Sequence, residues 1–392
     1  VTISVLIGGV IVPIDRSVFT ALLDNSVAGT YVGYERALAS GQLTIRDLSY
    51  LADKGEIPLP LFFAPLPLVE SQVASKIEKL LAGVSRETFS IGSRAKVEFR
   101  DVELIIKDLI RKQQLLRKVD DSLVANKVVG LLARPSGVPE TDAATLMRAI
   151  NLSLDEVAAC RKKEDALELI IERLERKQIL VSRSVQHYMP QRLTHVKFSG
   201  LTIRDSKVPV IFLAGGDHGD RQEPIGRTIF TLVLMAVLVA RRVFAPMTWD
   251  GGSTETELGL EYDIAGAMLM PEDRLKDIAV TELGEVKRAA DDFKVTPSAV
   301  AVRAMRLGLI SKDTAHRHLQ ELRHEFDQLP KGGPRNPILP ENAVRKYGGR
   351  ELSRRMLNAL DASKITPGEF CRAVCLKHLK PHQIDDLRRV LG

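Results

Sequence analysis

One stretch limits this chain more than any other. Ile229 to Ala240 is apolar at every position except Thr231, with Arg227 before it and Arg241–Arg242 after it. The run is shorter than the roughly 17–25 residues of a membrane span. It also has no polar side, so it predicts a helix buried on all sides, at about Thr228 to Arg241. Such a helix must be enclosed by other elements, and 392 residues suffice for two to four domains. Aromatic residues make up only 5%, so the cores must be built from Leu, Val, Ile and Ala, which favours helices.

The segments around this helix differ in pattern. Residues 1 to about 70 read as a small helical unit, with short helices at Val18–Leu23, Tyr34–Ala39 and Thr44–Asp53. Thr44 is placed to cap the last of these, with Asp47 in its first turn. Ile57 to Pro65 carries repeated prolines and reads as an extended linker. Val69–Ala82 and Val102–Lys118 repeat apolar residues at three- and four-residue spacing. Pro135 to Pro139 break the pattern. Ser153 then caps a helix, and Lys163–Gln178 forms another. From Ile179 the texture turns to strand, at Val196–Ser199, Leu201–Arg204 and Val208–Leu213. A turn-rich loop, Leu213 to Asp220, leads into the buried helix. A Gly/Ser/Thr-rich loop at Asp250–Gly259 then precedes a helix that Pro271 stops. Residues 272–392 return to helix, with Thr296 as cap and Pro297 in the first helical position.

Strand, loop, buried helix, loop and a helix ending in Leu269–Met270–Pro271 form an ordered set. Phe198 to Asp205, Val208 to Leu213, Arg227 to Leu232, Ala265 to Pro271 and Phe293 to Ile310 carry the likeness. Over roughly residues 190–310 the chain resembles the ImmA/IrrE family of zinc metallopeptidases, often fused to a helix-turn-helix. Tyr34–Glu35, Gly41, Thr44, Asp47–Leu48 and Leu51–Ala52 resemble the second half of such a helix-turn-helix. Its first half is short, with Ala28–Gly29 near where a recognition helix would begin, so the unit is expected to be degenerate.

The resemblance implies a fold and exposes a loss. A zinc peptidase needs two imidazoles one helical turn apart, with a Glu beside the first as general base. In the matching frame Leu234 stands at the first His, Met235 at the Glu and Leu238 at the second His. Leu cannot ligate a metal, and a thioether is a poor ligand for Zn²⁺ and accepts no proton at neutral pH. Leu258 falls at the third ligand, with Glu257 and Glu261 nearby. The chain is therefore expected to be a catalytically inactive pseudo-peptidase that binds no zinc, with His218, Glu257 and Glu261 as weak substitute ligands.

Other residue clusters carry less. Cys371, Cys375, His378 and His382 follow at intervals of four, three and four, but on one straight helix the outer two would lie about 16 Å apart. Two core cysteines and two surface histidines are the plainer reading. Ser182 and Ser184 near His187 match no nucleophile motif. Arg36 and Arg46 are candidate phosphate contacts; a solvated helix surface is the alternative. A net charge of +6 suits a nucleic-acid partner without requiring one. Three cysteines make no disulfide framework, which points to the cytoplasm, and the apolar Val1–Val12 lacks the basic start of a signal peptide.

These readings combine into one expectation. The fold is α+β and helix-rich, a zincin-like domain with a small sheet flanked by helical domains. The divisions are 1–68 (helix-turn-helix-like), 69–178 (helical connector), 179–275 (zincin-like) and 276–392 (C-terminal helical). The function implied is bacterial or phage regulation, by holding a repressor or antitoxin-like protein, with DNA as a further partner and no membrane. Two alternatives stand beside it: an active zinc peptidase with displaced ligands, and a sequence-specific DNA-binding repressor.

Overall fold

The computed structural model describes residues 2–81, 99–193, 198–215, 223–244, 246–248, 259–328 and 338–392. They gather into two compact units. The first holds the described residues of Val1–Gly83, Val97–Ile110 and Pro190–Leu193; the second holds those of Arg111–Met189 and Thr194–Gly392.

The first unit opens with a sheet where helix was expected. Strands β1 (Thr2–Ile7) and β2 (Val10–Asp15) pair antiparallel. Ile3, Val5 and Ile7 alternate along one and Val10, Val12 and Ile14 along the other, and these β-branched residues suit a pleated surface. Gly8 and Gly9 join them, both at positive φ (55° and 88°), which a two-residue hairpin turn requires. Helix α1 (Arg16–Leu23) starts directly after β2, capped by Asp15, which accepts the Ser17 N–H at 2.8 Å. Helix α2 (Val32–Ser40) ends at Gly41 in the left-handed region. Strand β3 (Gln42–Thr44) pairs parallel with β1. Helix α3 (Ile45–Lys54) is capped as expected, Thr44 Oγ1 accepting the Asp47 N–H at 3.1 Å.

The expected extended linker is instead a 3-10 turn over Leu59–Phe63. Proline is tolerated at the start of a helical turn, and burial of Phe62 against Phe19 fixes the turn to the core. Helix α4 (Leu66–Leu81) follows. Helix α5 (Glu103–Val119) contributes residues to both units.

In the second unit, helices α6 (Pro139–Ile150), α7 (Leu154–Ala159) and α8 (Lys163–Glu175) precede the sheet. Its strands are β4 (Leu180–Arg183), β5 (Phe198–Ile203), β6 (Val210–Leu213) and β7 (Pro246–Thr248), in the spatial order β4-β6-β5-β7. β4 runs parallel to β6; β5 is antiparallel to both β6 and β7. The two strands expected on either side of Gly200 are one strand, and Val196 lies outside the described residues. β4 and β7, unforeseen as strands, are the sheet's edges.

Helix α9 (Ile225–Arg241) is the predicted buried helix, with every residue from Leu232 to Ala240 buried. It packs against β5, β6, α8 and the following helix, α10 (Gly259–Leu269). Among the described residues no helix is long and apolar enough to cross a membrane. Beyond α10 come α11 (Glu272–Leu275), α12 (Leu283–Asp292), α13 (Pro297–Arg306), α14 (Lys312–Gln328), α15 (Pro340–Gly348), α16 (Arg350–Asp361), α17 (Pro367–Ala373) and α18 (Ile384–Leu391). Thr296 caps α13 as expected, accepting the Ala299 N–H at 3.2 Å. The chain is thus helix-rich α+β with two small sheets.

Candidate functional site

The three positions that the resemblance aligns with zinc chemistry all lie in the interior of α9. Leu234 is 2% exposed, and Met235 and Leu238 are fully buried. Leu234 and Leu238 are four residues apart, so they share a helix face. Met235 reaches the sheet: a Cβ on Gly200 of β5 would come within 2.5 Å of its Cε and 2.2 Å of the Phe212 carbonyl oxygen. Close packing of α9 on β5 thus depends on a residue without a side chain. None of the three offers a metal donor or a base suited to Zn²⁺. A carboxylate in the Met235 position would need a partner or a metal to offset its desolvation.

The substitute ligands divide. His218 and Glu257, with Leu258 beside it, lie outside the described residues. Glu261, near the start of α10, is buried and paired with Arg241 at the end of α9, Oε1 to Nε at 3.0 Å. The Arg241 Nη1 also donates to the Leu132 carbonyl at 2.8 Å. This guanidinium occupies Glu261 as a counter-charge and would repel a cation brought beside it. No three His, Cys, Asp or Glu side chains converge on a metal-sized space among the described residues.

The C-terminal cysteine and histidine set does not form one helical face. α17 ends at Ala373, and Leu376 and Lys377 at positive φ (50° and 66°) turn the chain away before His382. Cys371 and Cys375 are buried. Burial pushes the Cys375 thiol up to about 12, with the neighbouring Cys371 adding to the shift and Lys112 opposing it. His378 is half-buried against the Tyr188 ring, 4.7 Å between centroids. Burial, and secondarily Lys112, lowers its pKa. Ser182 and Ser184 donate to the backbone carbonyls of Tyr347 and Ala214, so both hydroxyls are structural.

Arg36 on α2 and Arg46 on α3 are both exposed. The two helices are separated by Gly41 and β3, so a strand stands where a helix-turn-helix has its tight turn. Arg46, Tyr50 and Lys54 follow at four-residue spacing on α3, and Lys54 Nζ lies 5.5 Å from the Tyr50 ring centre. Glu35, Asp47 and Asp53 are exposed on the same two helices, so the surface is of mixed sign.

Two buried charged groups have roles that the sequence reading did not assign: Arg303, which it placed only within the resemblance, and Glu175, which it did not single out. Arg303 of α13 is only 4% exposed, and Nη2 meets Glu140 Oε1 of α6 at 2.9 Å. It also reaches Asp263 of α10 at 3.6 Å and the Met270 carbonyl at 3.4 Å. One guanidinium thus ties together α6, α10 and α13. Glu175, the last residue of α8, is buried with one oxygen, Oε1, lacking any hydrogen-bond donor. Both stand inside apolar stripes, Arg303 among Val300, Ala301 and Ala304, Glu175 beside Ile171 and Leu174. A charged residue in a buried stripe was the available signal.

No known protein family, no curated protein and no solved structure matches this chain.

Proposed function

We propose that this chain is a regulatory protein that keeps an ImmA/IrrE-like scaffold without its peptidase chemistry and uses it to bind a protein partner. The observation that carries this reading is the α9 trio. The resemblance sets Leu234, Met235 and Leu238 where zinc ligands and a general base would stand, and the three side chains are buried in the core. Glu261, the described substitute ligand, is committed to Arg241, which weighs against a peptidase with displaced ligands. Loss of catalysis leaves binding as the use of the scaffold. The partner class that follows from the resemblance is a repressor or antitoxin-like protein, in bacterial or phage regulation. Exposed apolar side chains in the first unit, Val10 at 64% and Ile11 at 66% among them, are of the kind that mark protein contacts.

The test is co-purification with the repressor or antitoxin-like proteins encoded beside this gene. A stoichiometric complex in which the partner stays uncleaved is expected. No complex with any of them, or cleavage of the partner, overturns the reading.

A DNA-binding reading is favoured by one observation, the exposed Arg36 and the Arg46–Tyr50–Lys54 line on α3. It requires tight binding, near 10⁻⁸ M at physiological salt, to a particular site. Salt-sensitive binding that ignores sequence does not support it.

A further inference from the structure

Strand β4 is an edge of its sheet. Leu180 and Ser184 donate inward, to the carbonyls of Pro209 and Leu213. By alternation along a parallel pair, the N–H and C=O of Val181 and Arg183 point outward. An outward row of this kind is a template for pairing and has to be covered. The turn between α15 and α16 covers it. Gly349, at φ 82°, approaches so closely that a Cβ there would sit 2.7 Å from the Val181 carbonyl oxygen and 2.9 Å from Glu175 Oε1. Ser182 donates its hydroxyl proton to the Tyr347 carbonyl. Glu175 Oε2 accepts the Glu351 N–H, in the first turn of α16, at 3.2 Å.

We infer that Glu175 is a pH-sensitive clasp: in its neutral form it holds the Tyr347–Glu351 turn against the edge of β4, and ionisation loosens that turn and uncovers the edge. Glu175 is 4% exposed, and its Oε1 makes no hydrogen bond, so that the Val181 amide offsets a negative charge only in part. A neutral carboxyl tolerates that site; a carboxylate there is a buried charge with no ion-pair partner among the described residues. Burial pushes Glu175 up to about 8, with the Glu351 charge adding to the shift and the Glu351 and Val181 amides and Arg183 opposing it.

The surrounding charges do not neutralise Glu175. From β4, Arg183 is bound to Glu168 of α8. From α16, Glu351 repels it, while Arg354 and Arg355 are both paired with Glu351, Arg355 also with Asp120. From α15, Arg345 donates to the Val390 carbonyl, and Lys346 precedes the covering turn. Arg183, Arg345, Arg354 and Arg355 are thus each engaged by another group.

The experiment is amide hydrogen exchange on the full chain from pH 6 to 9, corrected for intrinsic rates, read at 181–183 and 347–355. The opening constant of these segments is expected to rise with pH, approaching tenfold per unit below about pH 8 and levelling off above it. In Glu175→Gln it is expected to be low and flat across the range. The same pH dependence in both proteins overturns the proposal. Should Glu175→Gln fail to fold, the carboxyl carbon of Glu175 is followed by NMR in the natural chain. Titration in step with the opening supports the clasp, and a carboxylate already ionised at pH 6 overturns it.

Discussion

The Met235 methyl fills the space above Gly200, so that α9 is locked to the sheet by a thioether over a bare backbone. Gly200→Ala is expected to destabilise the chain by about 1–3 kcal/mol, the usual cost of overpacking. Pairing it with Met235→Ala relieves only the side-chain contact, because the Phe212 carbonyl remains 2.2 Å from the new Cβ. Urea denaturation of the single and double variants checks this; full recovery in the double variant would show that the backbone contact is unimportant.

The ion pair between Arg241 and Glu261 provides a second test. Glu261→Gln removes the counter-charge of a half-buried guanidinium and is expected to cost about 1–3 kcal/mol, without changing bound metal. A drop in metal content with unchanged stability would instead identify Glu261 as a ligand.

Arg303 joins three helices from a buried position. Arg303→Met leaves the partly exposed Glu140 and Asp263 without this partner and is expected to cost about 1–3 kcal/mol, the range for losing hydrogen bonds to charged groups. Asp263 keeps Arg306, its Oδ1 2.6 Å from Nε, which brings the expectation to the lower end. Arg303→Lys restores the charge but not the fork, so partial recovery is expected in thermal denaturation.

Glu175 makes global stability depend on pH. Its folded-state pKa, about 8, lies above the ordinary value of 4.5, so the folded chain binds more protons than the unfolded chain between these limits. Stability contributed by this group is therefore full below about pH 4.5 and falls as pH rises through 8, by up to about 1.4 kcal/mol per unit. Glu175→Gln is expected to remove that slope, as measured by chemical denaturation at pH 5, 6, 7 and 8.

The sequence made the long elements legible where local signals and burial agreed. Ile229–Ala240 marked α9 because it is apolar on every side, and Thr44, Ser153 and Thr296 marked helix starts by capping chemistry. The N-terminal hairpin was missed because its alternation lies in an apolar run too short to separate strand from helix. β4 and β7 were missed because strands of four and three residues carry almost no period. At the candidate site, the burial of Leu234, Met235 and Leu238 followed from the run itself. Contacts between distant residues, such as Arg241 with Glu261 or Glu175 with Glu351, leave no mark in local spacing.

The most direct test of the central claim is metal content by mass spectrometry on tag-free protein purified without chelators. Zinc well below one equivalent per chain is expected, since Leu234, Met235 and Leu238 supply no donors. Zinc at one per chain, retained through dialysis, would contradict the account and direct the search for ligands to His218, Glu257 and Glu261.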